Sequence, residues 1–208
     1  VSVENNTIAR AYALVMFEGK VLEDADSMAY MFVSAGIGCP LLNSVKAHFG
    51  NVTGDGEVGH MIMEIDGDPC LCGNRGCLEA YSSEKTIIEK TIIAMKEGKT
   101  PVLSSIYEEK QVLDISDVLE ALEKGDEEVK KIIFKAIRYL GLAIANIENF
   151  VRPEYMVIEG KIFDVEENRK VLMDVVYKNL YRGTFQDLKL HFKSSDDLSG
   201  AVGASAVA

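Results

Sequence analysis

Apolar positions along this chain first follow short β-favouring runs and then helical spacing, with a cysteine-rich stretch between the two regimes. From Thr7 to Glu18, Ala9, Tyr12, Ala13 and Met16 recur at helical intervals behind Asn5 and Asn6, both good N-cap types, so a helix is expected to start beside two amides. The run MAYMFVS, Met28 to Ser34, reads as a strand, broken at Gly36 and Gly38 and followed by a second apolar stretch through Leu42. Lys46 to Phe49 offers a third strand, which would complete an antiparallel meander, and Met61 to Ile65 a fourth.

After Glu79 the pattern becomes mostly helical. Ile87, Ile88, Ile92 and Met95 share a face between Glu84 and Lys96, and Ser116 is expected to cap a short helix ending near Gly125. Asp126 then opens the longest helix, whose stripe of Val129, Ile132, Ile133, Ala136, Leu140, Ala143, Ile144 and Ile147 is wide enough for a central packing element. Pro153 stops it, Tyr155 to Ile158 reads as a strand, and Gly160 turns the chain toward a helix from about Val165 to Tyr181. Leu188 to Phe192 alternates as an edge strand would, and the closing SGAVGASAVA suits a helix packed tightly on its neighbours. Lys96 to Gln111 carries no readable period. Strands first, then alternating helices and strands, predict a mixed α/β domain.

Composition narrows the function. At 208 residues, 48% hydrophobic and 26% charged, the chain can bury one substantial core without disulfides. A net charge of -11 argues against a nucleic-acid surface, which needs clustered Lys and Arg; if DNA is involved, another segment touches it. No apolar run approaches the ~18 residues of a transmembrane helix, and no basic leader opens the chain, so no membrane association is expected. The start at Val1 without an initiator Met suggests a piece of a longer protein.

The chemistry concentrates in HMIMEIDGDPCLCGNRGCLE, His60 to Glu79. His60, Cys70, Cys72 and Cys77 supply the imidazole and three thiols of a closed tetrahedral zinc site, which staples a loop and leaves no position for substrate. Gly73 and Gly76 flank the turn that brings Cys77 back. The alternatives are buried cysteines with a surface histidine, or disulfides; three of the four cysteines within eight residues argue against the first, and an odd cluster of three against the second. Cys39 lies outside the cluster and reads as a small buried residue. His48 and His191 read as structural or exposed. Metal-bound, reduced thiols point to a cytoplasmic location.

GEVGHMIM, Gly56 to Met63, followed by CLCGNRGCLEA, Cys70 to Ala80, resembles the signature of the ROK family of bacterial repressors, open reading frames and sugar kinases. The likeness extends to VSVENNTIARAYAL, to SAGIG at Ser34 to Gly38, to RYLGLAIANIENFVRPEYMVIEG and to the final GAVGASAVA, so that nearly the whole chain matches the second half of a family member. The resemblance implies one lobe of an actin-like ATPase, ribonuclease H-like fold, with residues 1–208 as the C-terminal lobe, a zinc loop over 60–79, and a sugar held in the cleft toward an N-terminal lobe upstream. The family's sugar-binding positions fall on Asn5, Asn6, Glu57, His60 and Glu79, and its phosphate turn on Gly36 and Gly38. Amides and carboxylates supply the fixed donors and acceptors that sugar hydroxyls need. Read without the resemblance, Asn5 and Asn6 are helix caps, Glu57 and Glu79 solvated carboxylates, and Gly36 to Gly38 a plain hairpin.

Three departures weigh against phosphoryl transfer. Asn6 stands where the family's catalytic Asp takes the sugar proton, and an amide is too weak a base. Ala35 and Pro40 remove a hydroxyl and some freedom from the phosphate turn, and Glu159 replaces a glycine after the strand at Tyr155. The family's DXGGT phosphate motif does not occur. The resulting expectation is the effector-binding lobe of a sugar-responsive transcriptional regulator with a structural zinc, without catalytic residues. Its partners would be a hexose or N-acetylhexosamine, DNA through an upstream segment, a phosphotransferase-system protein, and a second copy of the chain. The alternatives are a truncated ATP-dependent, glucokinase-like sugar kinase and a zinc-stapled module that binds protein and no sugar.

Overall fold

The computed structural model describes residues 5–17, 27–43, 56–181, 188–196 and 198–207. The elements run α1 (Asn6–Phe17), β1 (Ser27–Val33), β2 (Ile37–Gly38), β3 (Leu41–Asn43), α2 (Glu79–Ser82), α3 (Glu84–Lys96), α4 (Pro101–Lys110), α5 (Ile115–Glu123), α6 (Glu127–Phe150), β4 (Tyr155–Glu159), α7 (Glu166–Asn179), β5 (Leu190–Lys193) and α8 (Ser199–Val207). Among the described residues no helix is long and apolar enough to cross a membrane.

One mixed sheet organises the chain. β1 pairs in parallel with β4 and β4 with β5, while β2 and β3 both lie antiparallel to β1. β2 and β3 are two pieces of one return strand. The interruption falls at Cys39 and Pro40, where Pro40 offers no N–H and only its carbonyl bonds back, to Tyr30 N (3.1 Å). The strand candidate at Lys46 to Phe49 lies outside the described residues.

Both faces of β1 are buried, which explains its unbroken apolar run. Ala29, Met31 and Val33 face a large core with Ile133, Leu140 and Ile144 of α6, whereas Met28, Tyr30 and Phe32 meet Ala11 and Leu14 of α1. On that second side α8 closes against α1 through small residues. A Cβ at Gly203 would come within 1.7 Å of the Ala9 carbonyl oxygen, so the helices approach at backbone distance. Cys39 sits in the larger core, as its composition predicts, and burial pushes its thiol up to about 12.

The stretch without a readable period contains helix α4. Pro101 occupies its first position, where no N–H is needed, and Leu103 and Ile106 are the buried pair. Asp126 accepts from Val129 N (3.3 Å), capping α6, and also from Val102 N (3.2 Å) and Leu103 N (3.3 Å), capping α4. The short helix α5 is capped by Asp114, two residues before Ser116, in a capping box with Asp117.

Candidate metal and ligand site

The segment Met61 to Ile65 is not a strand. Only Ile62 makes an isolated bridge, to Cys77, because the chain turns at Ile65 and Asp66 and the Gly76 carbonyl takes both Met63 N (2.8 Å) and Glu64 N (3.3 Å). Gly76 has φ 74°, and a Cβ there would meet the Glu64 carbonyl oxygen at 1.7 Å, so this crossing of two backbone runs demands glycine.

That crossing brings four donors together. The ligand atoms of His60, Cys70, Cys72 and Cys77 all lie within 4.8 Å of one another, a group that could hold a metal ion. Cys70 Sγ stands 3.7 Å from His60 Nδ1, and Cys72 Sγ stands 3.8 Å from Cys77 Sγ. Zinc with its usual bond lengths places tetrahedral S and N ligands roughly 3.6–3.8 Å apart, so the donor set fits that ion in chemistry and in size. Burial and the neighbouring Cys70 and Cys72 push the Cys77 thiol up to about 12, a penalty that a cation among the sulfurs reverses.

Aromatic groups on the helices brace the loop. The Asp68 N–H donates to the Tyr81 hydroxyl (2.7 Å), and Tyr81 stacks on Tyr139 of α6 with centroids 4.5 Å apart. Tyr139 in turn donates to Glu64 Oε2 (3.3 Å), and Lys90 pairs with Asp68 (3.0 Å).

The same loop also places two carboxylates. His60 closes the short 3₁₀ turn Val58–His60, which Glu57 precedes, and Cys77 lies two residues before Glu79, the first residue of α2. Glu79 Oε2 accepts the Ile37 N–H at 3.1 Å. Gly36 and Gly59 make room for that carboxylate, since Cβ atoms there would stand 3.2 and 2.9 Å from its oxygen.

Asn5, Asn6, Glu57 and Glu79 line one cavity of about 260 Å³ between the start of α1 and the Ser34 to Gly38 turn. Gly36 and Gly38 belong to its wall. His60 lies outside that lining, with Nδ1 directed to Cys70. Asn5 also acts as the helix cap its residue type suggests, its Oδ1 accepting the Thr7 N–H at 2.8 Å. Ser34 of the SAGIG turn lines the same cavity, as does Thr7, which is not among the candidate site residues. Thr7 packs on Gly38, where a Cβ would approach its hydroxyl to 2.8 Å, and its place directly after the asparagine pair was the available signal. His191 is exposed and stacks on Tyr155, while His48 lies outside the described residues.

The ROK family model matches residues 1–208. The chain belongs to the ROK family. Among ROK relatives, the xylose repressor of Caldicellulosiruptor bescii is 26% identical over 181 residues, 86% of this chain and 45% of that protein. The DNA-binding transcriptional dual regulator NagC of Escherichia coli is 26% identical over 204 residues, 95% of this chain and 48% of NagC. The chain thus spans about half the length of these relatives.

The solved structure of a ROK family transcriptional regulator, a homologue of the E. coli MLC protein, superposes with TM-score 0.83 at 27% identity, covering 99% of this chain and 50% of that one. A ROK family glucokinase from Streptomyces griseus, solved with glucose and AMPPNP, gives TM-score 0.78 at 22% identity, covering 100% of this chain and 68% of the glucokinase. The fold is accordingly the α/β, actin-like ATPase fold that ROK regulators and ROK sugar kinases share.

Proposed function

We propose that residues 1–208 form the effector-binding C-terminal lobe of a sugar-responsive ROK transcriptional regulator that lacks kinase activity. The observation that carries this reading is the single cavity lined by Asn5, Asn6, Glu57 and Glu79, four side chains able to bond sugar hydroxyls from fixed positions. The names of the relatives, a xylose repressor and the regulator NagC, support the regulatory half of it.

Zinc held by His60, Cys70, Cys72 and Cys77 would be structural, fixing the backbone from which Glu57 and Glu79 project. Ring Nδ1 on the metal would leave the other nitrogen of His60 to face a ligand. An N-terminal lobe and a DNA-binding segment would lie in the rest of the protein. Sugar binding in the cleft would then shift the equilibrium between lobe arrangements and so alter affinity for DNA.

Two features argue against the kinase reading. Asn6 brings an amide and no general base to the cavity, and the Ile37 N–H of the phosphate turn is engaged by Glu79. The test is a titration of the intact protein on its operator DNA with xylose, glucose and N-acetylglucosamine, together with a phosphoryl-transfer assay. Release of DNA by one sugar with no phosphorylated product is the expected result. ATP-dependent phosphorylation of a sugar overturns the proposal.

A further inference from the structure

A second cavity, of about 380 Å³, lies at the other end of the sheet from the one lined by Asn5 and Glu79. Its wall includes Ser27 at the start of β1 and Glu154 and Lys189 just before β4 and β5, so it sits beyond the N-terminal ends of the parallel strands. Helix α6 brings Glu148 to it, and Pro153 and Leu180 give it apolar surface. Small-molecule sites commonly enclose about 300–1,000 Å³, a range that includes this one.

Glu148 is 5% exposed, and its Oε1 is buried with no hydrogen-bond partner among the described residues. A buried carboxyl oxygen without a donor is costly and calls for one. The groups around it leave that need unmet. Lys189 lies 3.5 Å from the Glu154 carboxylate and donates to the Tyr155 hydroxyl (3.2 Å), while Ser27 Oγ accepts the Glu154 N–H (3.0 Å). Burial keeps the nearby Cys39 thiol protonated, so it adds no charge. Arg152 attracts Glu148, but not enough to offset the cost of burying it.

We infer that this cavity binds a small primary amine, whose ammonium donates to Glu148 while its apolar body rests on Pro153 and Leu180. The inference stands apart from the sugar reading, since the two cavities share no lining residue. A carboxylate ligand would meet both Glu148 and Glu154, and a hydroxyl would bring a donor without the charge that strengthens the bond. Lys189 and Glu154 offset each other, so Arg152 is the cation that the ammonium must outweigh. The net charge of -11 draws cations toward the chain. Burial holds the Glu148 carboxyl up at about 7, and it must give up its proton to pair with an ammonium, so affinity rises with pH through that value.

The test is a ligand-observed NMR titration of the intact protein with cyclohexylamine, cyclohexanol and cyclohexanecarboxylate, which share a body and differ in charge. At about pH 8 the amine is expected to bind at least about tenfold more tightly than the other two. Its affinity should fall by about tenfold at about pH 6, where Glu148 is mostly protonated. Glu148→Gln keeps the shape of the side chain and should abolish the preference for the amine, while Glu57→Gln in the other cavity should leave it unchanged. Arg152→Gln gives an independent readout, since removing the opposing cation should tighten the amine. Failure of the amine to bind, equal affinity for all three ligands, binding indifferent to pH, or amine binding that survives Glu148→Gln would each overturn the inference.

Discussion

Arg10 Nη1 stands 2.5 Å from Glu159 Oε1, and both side chains are buried. The pair ties α1 to the end of β4, and other elements converge on it. Tyr30 of β1 donates to the second carboxylate oxygen, Lys193 of β5 lies 3.3 Å from it, and Arg10 also donates to the Asp196 carbonyl (2.9 Å) just before α8. Burial and the Glu159 carboxylate hold the Tyr30 hydroxyl protonated, well above its ordinary range. Glu159→Ala leaves the buried Arg10 without a carboxylate partner, while Lys193 keeps Asp196 (3.1 Å), and is expected to destabilise the chain by about 3–5 kcal/mol, measured by denaturant unfolding. A double-mutant cycle with Arg10→Met should recover part of that loss, because the second change removes one stranded charge.

Asp126 predicts a capping loss larger than usual. Its two oxygens serve α6 and α4 together, whereas Asp114 caps α5 alone. Asp126→Ala should cost about 2–3 kcal/mol against about 1 kcal/mol for Asp114→Ala, read from urea midpoints of the two variants.

Metal removal should act locally first. Elemental analysis is expected to find about one zinc per chain, from four ligand donors that all lie within 4.8 Å of one another. A strong chelator should then expose the 60–79 stretch to limited proteolysis before the helical core unfolds, and Cys77→Ser should do the same without chelator. Material that is fully folded and free of metal would refute the structural role.

Glu148 gives a pH dependence. Burial pushes its carboxyl up to about 7, opposed weakly by Arg152. A carboxyl whose folded value lies above its unfolded one favours the fold while protonated, so that contribution is present below about pH 4.5 and is lost as pH rises toward about 7. Glu148→Gln should therefore leave stability unchanged near pH 4.5 and raise it by about 1–2 kcal/mol at pH 8, a gain held down by the loss of the Arg152 attraction. Thermal unfolding across that range measures the difference.

The chain's own pattern disclosed elements wherever one face met the core. The stripe from Val129 to Ile147 marked α6, and MAYMFVS marked β1, since each signal comes from side chains that the fold buries. It failed where backbone crossings decide the conformation. Met61 to Ile65 carries apolar residues, yet the carbonyl of Gly76 claims its N–H groups, and no local period records a contact with a residue beyond the turn. Helix α4 escaped notice because it buries few positions and borrows a cap from Asp126, which belongs to another helix.

At the site, the four candidate metal donors stood out because thiols and imidazole so close together have few other uses, and the fold brings all four within one small cluster. The Asn pair, Glu57 and Glu79 became candidates only through family likeness, and four such side chains do share a cavity. Glu159 was visible as a departure from the family pattern, but its partners were not. Arg10 and Lys193 lie at the two ends of the chain, and only the packed sheet shows that they meet it.

The parallel pairing of β1 with β4 joins Met28 to Tyr155, so the two central strands of the sheet are synthesised far apart. Everything from the cysteine cluster to the long helix emerges between them and can settle through local contacts, while the apolar first strand waits for its neighbour. Pairing of so distant a strand closes the longest loop in the sheet, which makes it the contact that most slows assembly.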